Sequence, residues 1–185
     1  FMTKSEIRNY IKKILKDNCN IQALSPLVCK NIKDSEEFQT SELLLAYMPL
    51  FDEVDVSPLI LDFLEQKKNV ALPRIIPGTN QMDFYLVDKK NINSLREGSF
   101  GIKEPDLLMQ KLDKESILNQ KTFVLVPGRA FTIDGARLGR GKGFYDRYFG
   151  ELINFYMQLQ ENSFLAGTEV KNMKFPFLGG VCFKV

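Results

Sequence analysis

Apolar positions along the chain follow two rhythms. Ile7, Ile11, Ile14 and Leu15 recur three or four apart behind Thr3-Lys-Ser-Glu6, a capping-box pattern. They predict a first helix ending near Asp17. The same rhythm returns at Leu59, Ile60, Leu61, Phe63 and Leu64, predicting a helix to about Lys68, and from Phe144 to Met157 through Tyr145, Tyr148, Leu152, Phe155 and Tyr156. Ser25-Pro26 and Ser57-Pro58 are N-cap and first-turn pairs, the former opening a short helix through about Ile32. The nearly continuous apolar run from Glu42 to Met48 predicts a buried strand that Pro49 stops. Shorter runs over Asn69 to Pro73, Met82 to Val87 and Thr122 to Val126 predict further strands. Phe177 to Val185 predicts one that starts after its glycine pair. Lys33 to Ser41 and Leu50 to Ser57 are polar and predict loops, and Gly98 to Pro105 predicts a turn-rich link. Gln158 to Lys174 has no clear period.

Strands separated by helices imply an α/β fold, a three-layer open sheet with mostly parallel strands. A length of 185 residues suits one domain over residues 1–185, with 44% apolar and 26% charged residues. A net charge of +2 is too weak to argue for nucleic acid or an anionic membrane. No run is apolar enough to span a bilayer. Cys19, Cys29 and Cys182 lack metal or redox spacing and read as reduced thiols of a cytoplasmic protein. The chain has no histidine, which excludes Ser-His-Asp and Cys-His centres and histidine-held zinc within these residues. Phe1 ahead of Met2 reads as an added residue.

The chemistry concentrates between the last apolar strand run and the helix at Phe144. Gly139, Gly141 and Gly143 alternate there with Arg140 and Lys142, shortly after Arg137. Glycine lets a backbone approach a ligand closely, and free N–H groups at a helix start attract anions. With the added cations, the stretch predicts a polyphosphate site. Neither GxxxxGK[ST] nor GxGxxG is present, since the spacing is GxGxG. Asp146 falls in the first helical turn, where a carboxylate can hold a divalent metal on phosphate oxygens. Lys4 and Arg8 share a helix face, which spacing alone reads as solvated. Asp52, Glu53 and Asp55 lie in a loop; loop acids are usually solvated, yet this loop follows a buried strand, where open α/β sheets place ligands.

The gapless string from Pro127 through Gly135-x-Arg-Leu-Gly-Arg-Gly-Lys-Gly-Phe-Tyr-Asp146 resembles the signature of the 5-formyltetrahydrofolate cyclo-ligase family. Phe144 stands where the family usually has tyrosine, and Thr132 where it usually has aspartate. The resemblance implies a fold similar to the ribose-phosphate-isomerase and CoA-transferase group. It implies ATP-dependent cyclisation of 5-formyltetrahydrofolate to 5,10-methenyltetrahydrofolate, with ADP and phosphate released. It implies ATP binding by Lys4, Arg8, Arg137, Leu138, Gly139, Arg140, Gly141, Lys142, Gly143, Phe144 and Tyr145, with catalytic roles for Arg140 and Lys142. Met48, Glu53, Phe84, Glu104 and Tyr145 become substrate-site candidates, and Asp146 a Mg²⁺ ligand. The family's Pro-x-x-x-His-Asp segment, with a second metal-binding aspartate, has no counterpart, so the chain is expected to lack that C-terminal end. The implied partners are small molecules, with no nucleic acid and no membrane, and a monomer or weak dimer. A non-catalytic nucleotide or phosphate sensor on the same fold remains an alternative. So does a single-stranded RNA binder using the basic loop and nearby aromatics.

Overall fold

The structure is a computed structural model that describes residues 2–17, 21–165 and 173–183. Its helices are α1 (Lys4–Asp17), α2 (Ser25–Lys33), α3 (Glu36–Gln39), α4 (Ser57–Glu65), α5 (Lys114–Leu118) and α6 (Phe144–Leu165). Its strands are β1 (Leu43–Leu45), β2 (Asn69–Ile75), β3 (Met82–Val87), β4 (Arg96–Glu97), β5 (Lys103–Glu104), β6 (Thr122–Pro127), β7 (Ala130–Phe131), β8 (Arg137–Leu138) and β9 (Phe177–Val181).

The central sheet runs β3-β2-β1-β6-β9. β1 pairs in parallel with β2 and β6, and β6 with β9, whereas β3 is antiparallel to β2. Side chains alternate across it, as strand geometry requires. Leu44, Val70, Leu72, Phe123 and Leu125 join the core with Phe38, Leu59, Ile60 and Phe63 of the helices on one face. Leu43, Leu45, Ala71, Val124 and Val126 join the core with Ile117, Tyr148, Phe149 and Leu152 on the other. Both faces are covered, which explains why β1 and the Phe123–Val126 run of β6 are apolar at successive positions rather than alternating. The α/β expectation of a mostly parallel, three-layer sheet holds.

The capping box at α1 forms, with Glu6 N donating to Thr3 Oγ1 and Thr3 N to Glu6 Oε2. Several expectations need correction. Ser25 and Ser57 are the first helical residues rather than caps. Ser25 Oγ instead accepts from Asp55 N at 3.0 Å, and Asp55 Oδ1 accepts from Ser57 N. Lys33 to Ser41 is not all loop, because Ser35 caps α3 and Phe38 is driven into the core. The glycine pair lies inside β9, opposite Leu125 and Val126. A Cβ at Gly179 or Gly180 would come within 3 Å of the Phe123 or Phe131 ring, so the strand can pass these rings only without side chains there. The link at 98–105 closes a small ribbon of β4 and β5. α6 runs eight residues past Met157, to Leu165. Cys19 and residues 166–172, 184 and 185 of the expected elements lie outside the described residues.

Candidate functional site

β1 and β6 are adjacent and parallel, so the segments following them emerge at the same edge of the sheet. One is the loop 46–56; the other runs through the β7–β8 hairpin into the glycine loop and α6. Between them lies a cavity of about 320 Å³. Its walls include Met48 and Glu53 from the first loop, and Arg137, Arg140, Lys142, Gly143, Phe144 and Tyr145 from the second. Phe100 and Glu104 of the β4–β5 ribbon close a third side.

The first loop is fastened from behind. Gln22 Nε2 donates to the carbonyls of Phe51 and Glu53, and Tyr47 Oη to that of Val54. Glu53 Oε2 accepts from Leu50 N at 3.0 Å, folding the carboxylate over its own turn. Glu53 Oε1 accepts from Arg140 Nε at 2.8 Å. Arg140 also donates from Nη2 to Asp52 Oδ1. Asp52 is buried, and its Oδ2 lies 2.6 Å from Arg129 Nη1. Burial alone would raise the Asp52 pKa, but the Arg140 and Arg129 guanidiniums outweigh it and hold the carboxyl below its ordinary value. Burial likewise pulls on Arg140, and Glu53 and Asp52 outweigh it in the opposite direction.

The second segment gets its shape from backbone donors and glycines. Arg129 N donates to Leu138 O, closing the hairpin, and Thr132 Oγ1 accepts from Ala136 N within it. Gly141 and Gly143 have φ of +99° and +71°, a region costly for other residues. Arg8 of α1 donates from Nε to Gly139 O at 2.8 Å, and Arg147 from Nη1 to Lys142 O at 2.6 Å, so two cations each hold one carbonyl of the loop. Lys142 Nζ lies 5.3 Å from the Phe100 ring centre. No carboxylate among the described residues forms an ion pair with Lys142. Arg137 donates to Pro127 O and from Nη2 to Asp146 Oδ1 at 2.7 Å, and its guanidinium lies over the Tyr145 ring.

The site residues read from the sequence therefore separate. Met48, Glu53, Glu104, Arg137, Arg140, Lys142, Gly143, Phe144 and Tyr145 meet at the cavity. Arg8, Gly139 and Gly141 come together beside it. Lys4 is exposed one turn from Arg8, Leu138 lies in the hairpin opposite Ala130, and Asp146 is exposed at the start of α6. Phe84 does not reach the cavity. It is fully buried, edge-on to Tyr148 with ring centres 5.0 Å apart, because its place in β3 turns it into the core. Glu104 is buried too, and burial pushes its carboxyl pKa up. It accepts from Ile75 N at 3.3 Å. Sequence reasoning missed Arg129 and Arg147, and it named Asp52 among the loop acids without carrying it forward as a site residue. The signal for Arg129 was its place inside the Pro127–Asp146 string.

Similarities to known proteins bear on this arrangement. A sequence model described as the 5-formyltetrahydrofolate cyclo-ligase family matches residues 2–174. A probable 5-formyltetrahydrofolate cyclo-ligase of Caenorhabditis elegans is 32% identical over 151 residues, covering 79% of this chain and 72% of that protein. The 5-formyltetrahydrofolate cyclo-ligase of Mus musculus is 28% identical over 149 residues, covering 78% and 70%. The solved structure of Aquifex aeolicus 5,10-methenyltetrahydrofolate synthetase superposes with a TM-score of 0.69 at 31% identity, covering 98% of this chain and 78% of that one.

Proposed function

The chain belongs to the 5-formyltetrahydrofolate cyclo-ligase family, and from that membership we propose that it converts 5-formyltetrahydrofolate and ATP into 5,10-methenyltetrahydrofolate, ADP and phosphate. The observation that carries the reading is one cavity walled by a cationic glycine loop on one side and by Met48 and Glu53 on the other. A formamide carbonyl is a poor electrophile. Its oxygen attacks the γ-phosphorus, and the bond to ADP breaks. The 10-nitrogen then attacks the formyl carbon, and the C–O bond breaks with phosphate as leaving group, carrying the nitrogen's proton. No covalent protein nucleophile is needed.

Phosphoryl transfer depends on positioning and on charge facing the transferred group. Lys142, without an ion-pair partner among the described residues, is the cation best placed to meet phosphate oxygens. The first N–H groups of α6 are free of helical acceptors and add a positive dipole end. Arg137 and Arg140 are engaged by carboxylates, so their part is to fix Tyr145 and Glu53 as much as to meet charge. The apolar wall of Met48, Phe100, Phe144 and Ile75 suits an aromatic substrate and excludes water.

Mg²⁺ is part of the proposal. No group of three Asp, Glu, Cys or His side chains that could cage a metal exists among the described residues. A single exposed carboxylate beside a phosphate site still fits this ion, which uses one or two carboxylates and keeps phosphate and water for the rest. Asp146 is that carboxylate, with Arg137 on one oxygen only. The ion would supply charge neutralisation on the phosphates. We further read residues 1–185 as one domain, acting in the cytoplasm on small molecules, as a monomer or weak dimer. Among the described residues no helix is long and apolar enough to cross a membrane.

The test is an absorbance assay for the methenyl product with ATP or Mg²⁺ withheld in turn. Product only when both are present supports the reading. Nucleotide binding without product, even with 5-formyltetrahydrofolate supplied, makes the protein a sensor instead.

A further inference from the structure

At the cavity wall the four charged groups Asp52, Glu53, Arg129 and Arg140 form one connected cluster, with Asp52 behind the other three. We propose that the buried Asp52–Arg129 pair is a positioning device that clamps Arg140, and through it Glu53, in the cavity wall. The proposal rests on the cyclisation reading for its kinetic test, but its geometry stands alone.

The charges sum to zero, two carboxylates against two guanidiniums. The Asp52 and Arg129 side chains are only 6% and 10% exposed, so neither charge is well solvated. On the outer side they face Ile11 and Leu15 of α1 together with Val181 and Phe183, apolar walls that leave the Coulomb attraction poorly screened. Arg140 is gripped at two points of its rigid fork, Nε by Glu53 and Nη2 by Asp52. A two-point grip fixes the plane of a guanidinium as a single contact does not. Glu53, Arg129 and Arg140 line the cavity, whereas Asp52 does not. Asp52 therefore acts through its neighbours, as a positioning residue.

Arg129 supplies the reason the clamp keeps its register. Its Nη1 is buried and makes no well-directed hydrogen bond, so it acts on Asp52 by charge. With Arg129 on Oδ2, only Oδ1 of Asp52 remains for Arg140. Without Asp52, Arg140 keeps only its Nε contact to Glu53, and a guanidinium held at one point can turn, carrying the Glu53 carboxylate with it. A reacting geometry displaced by about 1 Å can cost on the order of 10²-fold in rate.

The experiment compares Asp52→Asn, Arg129→Gln and the double variant by kcat and KM for both substrates and by melting temperature. Asp52→Asn leaves Arg129 buried without its counter-charge, so it is expected to lower both stability and kcat. The double variant removes that stranded charge. It is expected to recover the melting temperature while kcat stays about 10- to 100-fold down. Recovery of kcat in the double variant would show that Asp52 merely neutralises Arg129, and the proposal falls. So it does if Asp52→Asn turns over normally. A second readout needs no turnover: ¹⁵N NMR of the Arg140 guanidinium should show slow rotation about Nε–Cζ in the unaltered protein and fast rotation in the double variant. Rotation that is equally fast in both overturns the clamp. If the unaltered protein makes no methenyl product, the cyclisation reading fails, and this NMR comparison still decides the clamp.

Discussion

Tyr145 carries the most informative single atom. Its hydroxyl is buried beside the cavity and, among the described residues, finds no hydrogen-bond partner. Burial pushes its pKa well up, so it stays a neutral donor at any working pH. An unsatisfied buried hydroxyl is a cost in the empty protein and an asset once a ligand meets it. Tyr145→Phe should therefore leave the melting temperature of the unliganded protein unchanged or slightly higher, while the folate KM rises about tenfold, equivalent to about 1.4 kcal/mol. Melting curves with steady-state kinetics for the folate check this, and an unaltered KM with lowered stability would mean the hydroxyl serves the fold. At this scale the sequence shows what a contiguous motif can show. Arg140, Lys142, Gly143 and Tyr145 were readable because they neighbour one another along the chain. Asp52 was not, because its partner Arg140 is 88 positions away and a loop acid reads as solvated. Phe84 misled for the opposite reason: an aromatic beside a site and an aromatic in a strand's core face look the same in one dimension.

Among the elements, α1 is the one whose role changes between sequence and structure. Its apolar period was legible and gave the right boundaries, yet the helix buries little. Ile11 is its sole buried residue among those described. Its N-terminal half instead delivers Arg8 to the glycine loop, where Nε meets Gly139 O. Removing residues 1–8 should leave a folded protein, since that half contributes no core residue. ATP affinity should fall about tenfold or more, because hydrogen bonds from charged groups contribute roughly 1.5–3 kcal/mol and the loop loses its outer support. Calorimetric titration measures the affinity, and circular dichroism establishes the fold; normal ATP binding would return Arg8 to a merely solvated face. β9 shows where element reading stops. A glycine pair signals a break when read alone, and only the Phe123 and Phe131 rings packed on it reveal why a strand needs glycine there.

For the molecule as a whole, the arrangement that matters is strand order, which no periodicity encodes. Alternating helices and strands made the layered sheet legible, but not that β3 runs antiparallel or that β1 lies beside β6. That adjacency is what brings the loop at 46–56 against the glycine loop, and Arg140 then ties the two through Glu53 and Asp52. Two segments that wall one cavity and are joined by a shared ion-pair cluster should not respond independently. A ligand at 100 times its Kd stabilises the folded state by about 2.7 kcal/mol, and for a chain of this size each kcal/mol moves Tm by roughly 2–4 °C. A non-hydrolysable ATP analogue and 5-formyltetrahydrofolate, each added alone, should give shifts of that order. Added together they should exceed the sum, because the first ligand orders the bridge that the second also needs. A coupling free energy of about 1–3 kcal/mol is typical of linked sites. Arg140→Ala cuts the bridge without touching the sheet, so each single shift should survive in reduced form while the surplus disappears. Strictly additive shifts in the unaltered protein would mean that the two loops bind their ligands as separate bodies and that the cluster between them serves stability alone.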